Sequence, residues 1–360
     1  MNRRDVVAGF VSAMIGTNAI AAGRNPITRR MSRTIGFNLI SWNENTNTNP
    51  ASWISAVRFA FEVGARRVSF VPYAFVDRST GEIFSKSRQG LTIGPTQAAI
   101  TPAAKEAVRL GLSVSIKPLV EIDNAVGEGA IWRGTIELSS ELQNVFFTHY
   151  CTYILQMAEM ARAVRASRFY IGSELEGLTK DPSASGHWRK LIADCRAVFS
   201  EGQACLLTYA SNFTEYEKVS FWPQLDEVGI DAYFPLATAK TAQGLQHPTT
   251  ADIADAWDHS LEKMRRFSAR VGRPVLLAEW GVVPFDMTTA EPSQEHPSSL
   301  LDESEAIAAY QAVLPSVAKA KQWLKGIDLW HLQVDPDDDS PYRIEQSGNI
   351  ARVIRDAVRQ

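Results

Sequence analysis

Residues 168–178 read RFYIGSELEGL, and residues 274–282 read PVLLAEWGV. In the first stretch an apolar run, Phe169 to Ile171, stops at Gly172 and presents Glu174 and Glu176 where the chain turns. In the second, Val275 to Ala278 ends on Glu279, with Trp280 and Gly281 following. Short apolar runs closed by glycine read as buried strands. Two strands that each deliver a glutamate at the C-terminal end are what paired-carboxylate chemistry on a closed β/α barrel requires. Glu174 and Glu279 are the pair. Glu176 sits two residues further along, in the loop, and is the lesser candidate for the first position.

Working outward, the same strand-then-helix rhythm fills the chain. Strands are expected at residues 34–42, in RRVSFVPY (66–73), in LSVSIKPLV (112–120), in the opening stretch, in QACLLTYASN (203–212), in VGIDAYFPL (228–236), in PVLLAEWGV and in KGIDLWHLQV (325–334). Helical apolar periods occupy residues 52–63, 96–110, 140–164, 187–199, 250–271, 303–320 and 349–358, and a short helical region precedes the sixth strand. Strict alternation implies a parallel sheet, and eight repeats imply closure, so the expected fold is α/β, a single (β/α)8 TIM barrel over residues 33–360. The long connections follow strands, which puts them on the C-terminal rim where such barrels hold their active sites.

Composition narrows the partner. The formal net charge of -3 supplies no basic field for nucleic acid, and a hydrophobic share of 45% provides a large core. A neutral small molecule or polymer fits best. Residues 1–22 carry Arg3 and Arg4 ahead of a moderately apolar run that closes in AIAA, so they read as a twin-arginine-like export signal. The expected location is periplasmic or secreted, with no stable membrane insertion once the signal is removed. Cys151, Cys195 and Cys205 are an odd set within predicted helices and strands, and they read as buried free thiols.

For glycoside hydrolysis one carboxyl must be protonated and the other ionised, and a separation of about 5 Å gives a covalent intermediate with retained stereochemistry. Tyr233 follows the sixth strand and is placed to hydrogen-bond Glu279. Lys117, Tyr209, Asn212 and Asp231 are polar groups at strand ends where the apolar pattern stops. Trp42, Trp132, Trp280 and Trp330 fall at or near rim positions and are candidate platforms for sugar rings. DPDDDS (335–340) lacks the spacing of a calcium loop and reads as a solvated acidic loop. The histidines show no HxH or HExxH spacing, so no metal ligands are assigned and no cofactor is expected.

Together VSFVPY, SVSIKPLV, WRG, FYIGSEL, GIDAYFPL and LLAEWG occur in the order found in glycoside hydrolase family 113, which the sequence resembles over nearly its whole length past the leader. These are clan A β-glycosidases related to β-mannanases. The resemblance implies Glu174 as acid/base, Glu279 as nucleophile, Tyr233 beside the nucleophile, and Lys117, Trp132 and Arg133 in or near the sugar cleft. Ser173 departs from the clan pattern, which has an asparagine before the acid that binds the sugar 2-hydroxyl. Asn212 is a candidate replacement. The expected activity is retaining hydrolysis of a mannan-like or bacterial exopolysaccharide. Transglycosylation by the same residues and a catalytically silent polysaccharide-binding barrel are the alternatives.

Overall fold

The computed structural model describes residues 35–87, 94–123, 131–200, 204–237, 247–320 and 322–359. The leader at 1–22 lies outside them. Eight parallel strands close into a barrel: β1 (Ile35–Ile40), β2 (Arg67–Phe70), β3 (Ser113–Ile116), β4 (Arg168–Ser173), β5 (Leu206–Asn212), β6 (Val228–Asp231), β7 (Val275–Trp280) and β8 (Leu324–Gln333). Neighbours in sequence are neighbours in the barrel, and β8 pairs with β1 to close it. The helices α1 (Pro50–Glu62), α2 (Gln97–Arg109), α3 (Ser140–Ala163), α4 (Ser185–Phe199), α5 (Thr250–Val271), α6 (Glu303–Lys319) and α7 (Asn349–Arg359) alternate with the strands. Between β5 and β6 the described chain has only the 3-10 turn Trp222–Gln224.

Local chemistry sets the element ends. Asn49 caps α1 ahead of Pro50, whose missing N–H costs nothing at that position. Thr249 and Asp252 form a reciprocal capping box on α5, and Gly272 ends that helix at φ +69.

The second and third predicted strands each break at a proline. RRVSFVPY and LSVSIKPLV were expected to run through as single strands, but β2 stops at Phe70 and β3 at Ile116. Pro72 and Pro118 carry no N–H for the ladder, so the chain leaves the barrel there. Past them, Tyr73–Val76 and Leu119–Ile122 pair in parallel as a separate small sheet above the rim, joined by Ile83–Phe84.

Inside the barrel, near the starts of β2 and β4, two buried ion pairs replace apolar packing. Arg67 meets Asp328 at 2.7 Å and Arg168 meets Glu227 at 2.7 Å. Gly36 is required beside the first pair, because a Cβ there would stand 2.2 Å from Asp328 Oδ1. Outward-facing strand residues such as Val68, Phe169, Leu207 and Ile230 form the hydrophobic layer beneath the helices.

Candidate active site

Both glutamates sit just past irregularities in their strands. Along β4 and β5, Tyr170 pairs with Thr208 but Ser173 with Ala210, so β4 carries one extra residue. Gly172 fits this bulge where no side chain would: a Cβ would stand 2.3 Å from the Tyr150 hydroxyl, which itself donates to the Ile171 carbonyl at 3.0 Å. Glu174 follows in left-handed backbone, φ +51, a conformation that costs an L-residue roughly 1–2 kcal/mol. Its N–H donates to the Ala210 carbonyl at 2.8 Å, which holds the turn. Along β7 and β6, Leu277 pairs with Ile230 and Glu279 with Asp231, so β7 bulges at the corresponding place. Bulges re-aim side chains, and here both deliver a carboxylate to the rim.

The Glu174 carboxylate is held by three donors. Asn212 Nδ2 reaches Oε1 at 2.7 Å, while Trp132 Nε1 at 2.9 Å and Arg133 Nη1 at 2.7 Å both reach Oε2. Arg133 is fixed in turn by Glu121 and by the Val120 carbonyl, which accepts from Nε at 3.1 Å; both belong to the small sheet. Glu176 turns elsewhere, to Thr214 Oγ1 at 3.1 Å and Lys218 Nζ at 3.0 Å.

Glu279 accepts from Lys117 Nζ and, at 3.0 Å, from the Tyr233 hydroxyl. Lys117 is fully buried and also faces Asp231 at 3.3 Å. Burial opposes its charge, yet Asp231 and then Glu279 outweigh burial and hold the ammonium above the usual lysine range. One cation thus serves two buried carboxyls. Burial pushes both upward, Asp231 well above its ordinary value. Among the described residues the Asp231 carboxyl has only long contacts, to Lys117 and, at 3.3 Å, to Ser173 Oγ. A proton shared between the two therefore rests on Asp231, and Glu279, with the closer ammonium and the tyrosine, keeps the charge. Burial and then Glu279 keep Tyr233 neutral and able to donate.

Glu174 and Glu279 line one cleft of about 520 Å³, together with Trp132, Arg133, Asn212, Tyr233 and Trp330 among the residues expected at the site. The remaining expectations need correction. Trp280 is fully buried, because alternation along β7 sends it outward when Glu279 points in; it packs between Trp257 and Tyr310. Tyr209 likewise points outward, among Trp188, Phe221 and Trp222. Lys117 and Asp231 lie beneath Glu279 without exposed surface. Trp42 is exposed but packs at a tilt against Tyr73, at 4.6 Å between ring centroids, and does not line the cleft. In DPDDDS, Asp335 is buried and Asp338 Oδ1 caps the Ser340 N–H at 3.0 Å, so these two serve the loop's own turns and only part of it is solvated.

Sequence reasoning also passed over several residues. Phe213, Thr214, Tyr342 and the segment Ser293, Gln294 and Glu295 complete the cleft wall, from loops without any periodic signal. Behind the wall, Glu215 has no exposed surface. It accepts from the Asn212 N–H at 3.0 Å, from the Tyr209 hydroxyl at 2.9 Å and from the Thr179 hydroxyl. The Tyr209 oxygen accepts the Leu175 N–H, one residue past Glu174. Glu215 therefore braces both the backbone and the amide partner of Glu174. Burial raises its carboxyl to about 7 against these three donors. The only hint in the sequence is an acid three residues after Asn212.

A model of Glycoside Hydrolase Family 113 matches residues 66–344. The chain belongs to glycoside hydrolase family 113. It is thus a glycoside hydrolase, and its substrate class is carbohydrate. Among solved structures, this family 113 chain is similar to the GH113 β-mannanase AaManA from Alicyclobacillus acidocaldarius in complex with ManMIm, at 20% identity and a TM-score of 0.72 over 91% of this chain and 97% of that one. A GH113 β-1,4-mannanase superposes at 20% identity and a TM-score of 0.73 over 92% and 100%. A family 5 mannosidase from Rhizomucor miehei follows at 11% identity and a TM-score of 0.58 over 91% and 92%. At these identities the superpositions speak for the barrel alone. No curated protein sequence matches the chain.

Proposed function

We propose that the chain is a retaining β-glycosidase acting on a mannan-like polysaccharide, with Glu279 as nucleophile and Glu174 as acid/base. The observation that carries this reading is a pair of carboxylates in one cleft, each held by its own set of donors. Glu279 is kept charged by a buried ammonium and a tyrosine hydroxyl, and Glu174 is aimed by three donors on the facing wall. In the first step Glu279 attacks the anomeric carbon while Glu174 gives its proton to the departing glycosidic oxygen. With Glu279 esterified, Glu174 takes a proton from the incoming water as that water attacks the anomeric carbon. Freed from its ester partner, the Lys117 ammonium stays as the counter-charge awaiting the returning carboxylate. Trp132, which is exposed, and Trp330, which is half-buried, both line the cleft and suit a neutral polymer of sugars. The mannan preference follows the β-mannanases that the fold resembles, and the leader motivates an exported enzyme.

The test is a polysaccharide panel assayed for new reducing ends, with Glu279→Ala and Glu174→Ala alongside the parent. Glu279→Ala should fold and lose turnover. Glu174→Ala should keep activity only on activated leaving groups and recover with azide. Undiminished hydrolysis by Glu279→Ala would refute the nucleophile, and equal loss on activated and natural substrates would refute the acid.

A further inference from the structure

Away from the cleft, four ligand-type side chains from two rim connections converge. His247 stands just ahead of α5, and Glu305 lies in the first turn of α6. Asp286 and Asp302 face one another at the base of the β7–α6 connection, where Phe285 and Leu301 form an antiparallel bridge. The Asp286 N–H donates to the Leu300 carbonyl at 2.9 Å and the Asp302 N–H to the Pro284 carbonyl at 3.0 Å, which fixes that base. His247 Nδ1 lies 3.3 Å from Asp302 Oδ2, 3.6 Å from Asp286 Oδ1 and 3.9 Å from Glu305 Oε2. One ligand atom from each of the four falls within 4.8 Å of all the others.

A knot of carboxylates alone would mean little, but Asp286 sets this one apart. Its side chain is only 10% exposed and aimed into the cluster, and among the described residues its carboxylate accepts no hydrogen bond. Its one close basic neighbour among the described residues is the half-exposed His247 imidazole at 3.6 Å, too long for a hydrogen bond, so little offsets the cost of burying it. The other two acids are oriented from behind. Asp302 Oδ1 takes the Ser304 N–H at 3.0 Å and the Glu305 N–H at 3.2 Å. The Thr289 and Met287 N–H groups, each at 2.9 Å, reach Glu305 Oε1 and Oε2. Such outer hydrogen bonds fix ligand oxygens in place, as they do around bound metals.

We infer that these four residues form a binding site for a divalent cation of the zinc class. One imidazole and three carboxylates suit a borderline cation, whereas calcium calls for six or more oxygens. Tetrahedral bonds of about 2.0–2.1 Å require ligand atoms roughly 3.3–3.4 Å apart. The separations from Nδ1 are 3.3 to 3.9 Å, and the four ligand atoms, all within 4.8 Å of one another, draw together on the ion to reach that. A cation here clasps the β6–α5 and β7–α6 connections together. The second of these carries Ser293, Gln294 and Glu295 to the cleft wall, so the ion steadies one side of the sugar site from behind. The competing arrangement is a protonated His247 with no metal, and direct binding separates the two.

The full chain, stripped by chelator and dialysed, is titrated calorimetrically with Zn2+, and with Ca2+ for comparison, and its metal content is read after gel filtration. One equivalent of Zn2+ per chain should bind, with a rise in melting temperature. Asp286→Asn and His247→Ala should each weaken binding by at least about tenfold. His247 is 58% exposed, so its alanine variant keeps the fold and isolates the ligand's loss. Absence of saturable Zn2+ binding, wild-type affinity in both variants, or a preference for Ca2+ would each overturn the site.

Discussion

Replacing Glu215 by Gln tests whether a buried, titrating carboxyl stands behind the active site. Burial lifts this carboxyl from its ordinary 4.5 to about 7. At ~1.4 kcal/mol per pH unit, ionised Glu215 costs the folded state about 3 kcal/mol relative to the unfolded chain. The sign follows from proton binding. Below about pH 4.5 the carboxyl is protonated in both states and the full stability is present. Between there and about pH 7 the folded chain binds the extra proton, so stability falls as pH rises, and beyond that it levels off. Glutamine does not titrate. It loses part of the three-donor set, a penalty that is the same at every pH. The stability of wild type minus that of the variant, from urea unfolding at closely spaced pH values from 4 to 8, should therefore fall by about 3 kcal/mol across that window. A difference that stays flat would refute the placement of a buried, titrating carboxyl behind Asn212.

Lys117→Met should destabilise the protein by about 3–5 kcal/mol, since Asp231 and Glu279 lose their shared cation. Lys117 is held above its usual range, so this loss should be present throughout pH 5–9, and the acid limb of the kcat/KM profile should move to higher pH as Glu279 gains a proton. Trp330→Ala should raise KM, while Trp280→Ala should cost about 3–5 kcal/mol in denaturant melts and leave KM alone. Gly172→Ala drives a methyl group against the Tyr150 hydroxyl; kcat should fall more than substrate binding as Glu174 is displaced, which steady-state kinetics reads directly.

Several strands of the barrel were readable because the apolar run meets a chemical stop: Gly172, the Ser211–Asn212 pair, or the glutamate in AEWG. Helix ends were equally plain where a cap marked them, as at Thr249 and Gly272. What escaped was side-chain direction. Trp280 and Tyr209 sit at rim height like Glu279 and Asn212, but neighbours in a strand face opposite ways, and a bulge shifts that alternation by one residue. No one-dimensional pattern announces a bulge beforehand. Prolines 72 and 118 were visible, yet their effect was to send the following residues into another sheet, which depends on partners more than forty positions apart in the chain. Glu215 and the cluster around Asp286 belong to the same class, since their neighbours meet only after folding.

The small sheet beyond those prolines has a consequence for how such an enzyme changes over time. Arg133 grips Glu174 but is itself held by Val120 and Glu121, which lie outside the barrel wall. The ion pairs that fill the barrel's interior, Arg67 with Asp328 and Arg168 with Glu227, touch none of these groups. The setting of Glu174, the proposed acid, is therefore adjustable from an appendage that bears little of the architectural weight. Drift in that appendage can retune proton transfer, and with it the preferred leaving group, while the scaffold is passed on unaltered.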